Sequence, residues 1–386
     1  MTEWTDPDTF TRAIERVDVR EKGNYFEDFD EGQVIDHEPG LTLTRWGSEA
    51  WTSQTLNHDP AYWRTDAARE RGFEEPPIHP DYLLAATLGC TVEGLSEKGG
   101  YFLGRTDVRF PIREVRPGTE LRVESEVVST ATSSSRPAYG IVTWRTRGMD
   151  AETGEMLCSY ERTNMIPRRR PIETDGGRQE TKTNGGGQET ESGDEPNAGT
   201  SDEDDLVNSA EEDDRLDSTE DDDLPEEFVT PNGPFFEDFE NALERADGRD
   251  AAVAYCHERG RTMDDLTVAG LPLATLNTAK QHHNADVMAD SPSGEIVTYG
   301  DVTRSTALGH ARSDERTVRE VGCDDERFHT FVVPGDTVYC FTRVLAAKPN
   351  ASVDGAGTVR FEHVAYNQRD EPVYSGTRIA EVARRS

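Results

Sequence analysis

The chain has 386 residues, which gives room for two or three domains at roughly 100–200 residues each. Its 77 acidic residues outnumber its 41 basic ones for a net charge of −36, so it offers no basic footprint to nucleic acid or to an anionic membrane surface. No apolar run approaches the ~20 residues that span a bilayer, and with apolar residues at 33% part of the chain is expected to lie outside any core.

Lysine occurs only at Lys22, Lys98, Lys182, Lys280 and Lys348. An acidic tail, or a surface adapted to molar salt, would each give such a balance. Acid also fills Asp6–Asp8, Glu27–Glu31 and Asp324–Glu326, outside any tail, which favours salt adaptation: a charged surface keeps the protein hydrated and soluble. The cysteines, Cys90, Cys158, Cys256, Cys323 and Cys340, are odd in number and form no CxxC or Cys/His cluster. They are expected to be reduced and structural, with no metal site. The N-terminal MTEWTDPDTF lacks a basic n-region and an apolar h-region, so a cytoplasmic protein is expected.

In chain order, residues 1–23 read as an amphipathic helix capping a domain. YFEDF follows at Tyr25–Phe29, then a helical stretch, GSEAWTSQTLNHDPAYWRTDAARERG, from Gly47. A second helix, PIHPDYLLAATLG, ends in Leu-Gly at Gly89; a Pro-Gly turn from Arg116 then opens the alternating strand ELRVESEVV, and a strand-turn-strand pair starts at Gly140. Gly, Ser, Thr, Asp and Glu dominate 168–228, a segment unable to bury enough apolar area to order itself, which predicts a flexible, self-repelling linker. The series then repeats: FFEDF at Phe235–Phe239, the helical LPLATLNTAKQHHNADVMAD from Leu271, VTYGDVTRSTALG ending at Gly309, a Pro-Gly turn at Pro334-Gly335, and paired strands from Gly357. Features that keep their order and spacing mark an internal duplication. The expected fold class is α+β, with two tandem domains, 1–167 and 229–386, each an antiparallel sheet around one central helix.

The order YFEDFDEGQVI, TSQTLNHDPAYWRTDAARERGF, PPIHPDYLLAATLG, RFPIREVRPGTELRVESEVV resembles the MaoC-like hydratases of the hot-dog fold, and two copies resemble the double hot-dog enoyl-CoA hydratases. TLNTAKQHHNADVMADSPSGEIVTYGDV is similar to the matching stretch of mesaconyl-CoA (2-methylfumaryl-CoA) hydratases. The resemblance implies a hydro-lyase acting on an acyl-CoA thioester, without metal or redox cofactor. It also implies a role in acetyl-CoA assimilation by a methylaspartate route, in keeping with a salt-adapted composition. Two hot-dogs in one chain form the pseudo-dimer that the fold needs, so a monomer is feasible and a further homodimer plausible.

Hydrating an enoyl-thioester needs a base for water, a proton for the α-carbon and N–H donors for the thioester oxygen. The resemblance implies an Asp, a His five residues on, and a His-Gly pair at the start of the central helix. The first half departs from this. One register puts Asn57 and Tyr62 at the Asp and His positions, another His58 and Trp63, and His79-Pro80 replaces His-Gly, removing an N–H donor. His58 and Asp59 before Pro60 also suit a turn, and His79 with Pro80 and Asp81 suits a helix start. The second half keeps Tyr299-Gly300-Asp301. Upstream, His282 and Asp286 are four apart and would share a helix face as base and acid, with His283 beside them. Asn284 and Ala289 fall at the expected Asp and His positions there. The second half is thus expected to carry the chemistry, with Gly300, Tyr299 and Asp301 at the oxyanion and His79, Tyr62 and Arg105 in substrate binding. Arg105 and Arg109 on strands suit CoA phosphates or a plain sheet surface. No Gly-rich loop follows a strand, which removes hydride transfer. Another short-chain enoyl-CoA hydratase, a non-catalytic acyl-CoA-binding hot-dog protein and, more distantly, a thioesterase are the alternatives.

Overall fold

In the computed structural model, residues 2–133, 136–171 and 224–385 are described; most of the expected linker, 172–223, lies outside the described residues. The first half contains β1 (Val34–Thr42), α2 (Arg45–Gln54), α3 (Thr65–Glu70), α4 (Pro80–Gly89), α5 (Val92–Leu95), β2 (Tyr101–Arg109), β3 (Glu120–Thr132), β4 (Tyr139–Asp150) and β5 (Met156–Pro167), preceded by α1 (Pro7–Ile14). The second half contains β6 (Glu227–Val229), α6 (Phe236–Ala246), β7 (Ala251–Cys256), β8 (Arg261–Thr262), α7 (Asp265–Ala274), α8 (Ala285–Met288), α9 (Gly300–Ser313), β9 (Thr317–Phe328), β10 (Thr337–Lys348), β11 (Ala356–Tyr366) and β12 (Pro372–Ala383). Helix α1 is N-capped by Asp6, but it buries no residue; it does not cap a core.

Alternation builds the sheet. On β4 every second side chain is buried, while Arg145 and Arg147 on its other face pair with Glu161 and Glu124 of the neighbouring strands. The strands run β1-β3-β4-β5-β2-β9-β12-β11-β10-β7-β6, a nearly palindromic order whose centre is the antiparallel seam between β2 and β9. At that seam a Cβ on Gly322 would lie 2.0 Å from the Val108 carbonyl oxygen, so a side chain there would force the halves apart.

The duplicated FEDF motif closes each half. The Tyr25 N–H donates to Asp28 Oδ2 at 2.9 Å and the Phe235 N–H to Asp238 Oδ2 at 3.0 Å. Phe26 and Phe236 lie against Gly140 and Gly357, where a Cβ would come within 2.1 and 2.3 Å of their rings. Two arginines after the last strand then close over the motif. Arg168 and Arg384 lie over the Phe26 and Phe236 rings at 4.8 and 4.6 Å, and Arg169 and Arg385 pair with Asp28 and Asp238. Each motif therefore ties the start of a half to its end.

The central helices α4 and α9 fill the interior. Helix α4 is buried from Asp81 to Gly89, as a helix apolar all round should be. Both helices are crossed at their Leu-Gly pair by a loop of the opposite half. A Cβ on Gly89 would lie 1.9 Å from Thr275 O, and one on Gly309 2.3 Å from Thr55 O. Substituting Gly89→Ala is expected to lower stability by about 1–3 kcal/mol through overpacking, read as a shift of the denaturant midpoint at unchanged slope.

Candidate active site

The two crossing loops start alike. After α2 and α7 the chain reads Thr-Leu-Asn, and Leu56 (φ 55°) and Leu276 (φ 61°) are left-handed, a conformation that bulky residues rarely adopt. It lets the Asn57 N–H reach Thr52 O at 2.8 Å and the Asn277 N–H reach Pro272 O at 2.9 Å. A short turn follows, Pro60–Tyr62 in one half and Lys280–His282 in the other, so Tyr62 and His282 occupy matching places. They face the residues that cap the central helices: the Tyr62 and His79 rings are 4.3 Å apart, those of His282 and Tyr299 5.4 Å. The halves thus carry the same two ring types in exchanged positions.

In the second half His282 is buried, with Nδ1 2.8 Å from Val297 O. That contact places the proton on Nδ1 and leaves Nε2 an acceptor, 3.4 Å from the Gln281 amide nitrogen, and burial lowers the imidazole to about 4. Asn277, five residues before it, is also buried, and its Oδ1 accepts the Ala279 N–H at 3.0 Å. The Tyr299 hydroxyl donates to Asp301 Oδ2 at 2.9 Å. Gly300 is the first residue of α9, so its N–H has no partner within the helix; the Phe328 ring lies 2.9 Å from where its Cβ would be. In the first half Pro80 takes the place of Gly300 and has no N–H. His79 Nδ1 accepts the Asp81 N–H at 3.1 Å, and burial lowers this histidine to about 3.

Other expected residues lie elsewhere. His282 and Asp286 do not share a helix: the turn at Lys280–His282 ends at His283, Asn284 caps the separate α8, and Asp286 is exposed on it. His283 turns back to Thr278 O at 3.1 Å. His58 is exposed, while Asp59 caps the Pro60 turn and pairs with Arg71 at 2.6 Å. Arg105 is buried, not on the sheet surface, and is engaged by Asp301 at 2.6 Å and Glu326 at 2.7 Å. Asn277 went unnoticed in the sequence, although Thr-Leu-Asn at both 55–57 and 275–277 aligns it with Asn57 and sets His282 at the histidine position.

Arg105 belongs to a buried chain of ion pairs: Asp301–Arg105–Glu326–Arg304–Asp81–Arg312–Glu320–Arg378–Glu315. It passes the first-half site, where Glu320 and Arg312 bear on the ionisation of both Tyr62 and His79.

The architecture and site define a double hot-dog protein of the MaoC-like type. A MaoC domain dehydratase from Chloroflexus aurantiacus superposes with a TM-score of 0.73 at 20% identity, over 96% of this chain and all of that one. A double hotdog protein of Mycobacterium tuberculosis superposes with a TM-score of 0.65 at 21% identity, over 93% of this chain and 98% of that one. Within that class the family model described as mesaconyl-CoA hydratase matches residues 3–384, and the chain belongs to this family. Mesaconyl-CoA hydratase of Haloarcula marismortui is 59% identical and that of Haloarcula hispanica 57% identical, each aligned over 100% of this chain and 99% of the relative.

Replacing Arg378 by Leu leaves the buried Glu315 without a guanidinium and Glu320 with Arg312 alone, and is expected to cost about 3–5 kcal/mol, seen in chemical denaturation. The chain also predicts acid sensitivity. Burial alone would raise Glu326, but Arg105 and Arg304 hold it down to about 2 from an ordinary value of 4.5. A carboxylate with a depressed folded pKa stabilises fully above pH 4.5, and its contribution is lost as pH falls toward 2. Thermal midpoints measured across that window are expected to fall, and to fall less in Glu326→Gln.

Proposed function

We propose that this chain adds water reversibly across the double bond of mesaconyl-CoA to give β-methylmalyl-CoA, at one site in its second half. Family membership across the whole chain supports the reaction. The observation that carries the site is the convergence of His282, Tyr299 and Gly300 at the start of α9, with Asn277 on the same loop, against Tyr62 and Pro80 at the matching first-half places.

The thioester oxygen accepts the Gly300 N–H, and the positive end of α9 stabilises it as it becomes enolate-like. The amide of Asn277 orients a water. Nε2 of His282 takes a proton from that water as its oxygen bonds to the β-carbon, and the imidazolium then returns the proton to the α-carbon. H and OH are added, nothing is oxidised, and proton transfer alone completes the step, so no metal or redox cofactor is required. On the same footing, 1–167 and 229–386 act as the two hot-dog domains of a pseudo-dimer joined through 168–228, working in the cytoplasm. Among the described residues no helix is long and apolar enough to cross a membrane.

The direct test follows loss of the enoyl-thioester absorbance of mesaconyl-CoA in concentrated KCl. His282→Ala is expected to lower kcat by about 100-fold or more while Asp286→Ala and His58→Ala stay within about threefold of the parent. Equal losses in all three would remove His282 from its role. Because burial holds His282 near 4, kcat/KM is expected to stay flat from neutral pH down to about 5 and fall below it as the base becomes protonated.

A further inference from the structure

Along the inward face of β5, Tyr160, Arg162 and Asn164 are all at most 2% exposed, and Trp144 lies beside Arg162 on β4. Among the described residues, the Tyr160 hydroxyl, Nε and Nη2 of Arg162, Oδ1 of Asn164 and Nε1 of Trp144 find no hydrogen-bond partner. Folded proteins leave few such atoms unpaired, and a buried guanidinium without a carboxylate is the costliest of them. Most of these groups are donors, as an anion would require.

The second half shows what is missing. Arg378 is the counterpart of Arg162: it lies beside Phe361 as Arg162 lies beside Trp144, and each guanidinium is 5.3 Å from its ring centroid. Arg378 is neutralised by Glu315 at 2.8 Å and Glu320 at 2.7 Å. Glu320 stands on the adjoining strand opposite Ala380; at the matching place in the first half, opposite Asn164, stands Phe102. The protein therefore supplies carboxylates to one arginine and withholds them from the other.

The unpaired arginine belongs to the half whose central helix is crossed by the His282 loop, since Gly89 of α4 packs on Thr275 and Asn277. Contacts run from there to the site. The Arg105 guanidinium lies 5.5 Å from the Tyr160 ring and pairs with Asp301, which accepts the Tyr299 hydroxyl, and Tyr299 meets His282. The electrostatic neighbours of Arg162 include Tyr160, Tyr299 and Asp301.

We propose that Arg162 recognises the free carboxylate of the substrate, standing in the first half for the carboxylates that Arg378 finds within the protein. This rests on the reading of the substrate as mesaconyl-CoA, whose second carboxylate is bonded to the β-carbon that water attacks. A guanidinium fork in a dry site holds such a group in one orientation and fixes the β-carbon relative to His282. Acyl-CoAs that carry a methyl in place of the carboxylate leave the fork unpaired and are rejected.

The test compares mesaconyl-CoA with 2-methylcrotonyl-CoA, and separately the binding of succinyl-CoA with that of butyryl-CoA, which needs no turnover. Arg162→Gln is expected to lower kcat/KM for mesaconyl-CoA by about 100-fold, leave 2-methylcrotonyl-CoA unchanged or improved, and erase the preference for succinyl-CoA. Arg162→Lys should keep part of that preference. Phe102→Glu, which places a carboxylate where Glu320 stands in the other half, should erase it with Arg162 intact, and serves if the glutamine variant does not fold. A parallel loss on both substrates, or succinyl-CoA and butyryl-CoA binding alike in the parent protein, would overturn the proposal. An Arg162-dependent preference for succinyl-CoA without hydration of mesaconyl-CoA would instead overturn the reaction and leave the carboxylate site standing.

Discussion

Nine charged side chains buried in one line across the middle of the molecule set the terms for the rest of it. Burying this many charges is tolerable only because every carboxylate in the line meets at least one guanidinium and every guanidinium at least one carboxylate. The line joins the starts of α4 and α9 to β2, β9 and β12, so it fixes the two central helices against the sheet and against each other. Helix α9 consequently carries Arg304 and Arg312 on buried positions, whereas α4 has Leu84 at the place of Arg304.

The same line makes the halves unequal. In the first-half site it lies beside a tyrosine, a histidine whose Nδ1 is taken up by its own helix, and a proline without a donor. The second-half site has a neutral histidine whose Nδ1 faces the Val297 carbonyl and whose Nε2 meets the Gln281 amide, and a glycine at the helix start; the line touches it only at its end, through Asp301 under the Tyr299 hydroxyl. Duplication supplied two frames, and the ion pairs together with the residues at the two helix starts made them unequal.

The repeat, the central helices and the strands after each Pro-Gly turn were legible because they rest on local periodicity and on motifs that occur twice. FEDF could be seen to recur, but its purpose depends on Arg168-Arg169 and Arg384-Arg385, far along the chain, and appears only when the strands return them. The site was less legible for two physical reasons. The chain leaves helical geometry at His283 and Asn284, between His282 and Asp286, and propensity gives no warning of that. The partners of Arg105 come from the opposite half, so a surface role and a buried ion pair look the same in sequence. Asn277 was within reach, had the repeat been aligned on Thr-Leu-Asn.

The seam holds a lesson about ancestry. Of the charges in the buried line, Asp81 and Arg105 come from the first half, and each is matched by residues of the second. Two copies of the first half brought together at this seam would set Arg105 beside Asp81, which holds the place of Asp301, but would lack Arg304, Arg312 and Glu326, the partners that now complete both. The fusion therefore works as an evolutionary ratchet. Once the charges had crossed from one copy to the other, neither half could return to partnering itself, and the two were committed to remaining a pair.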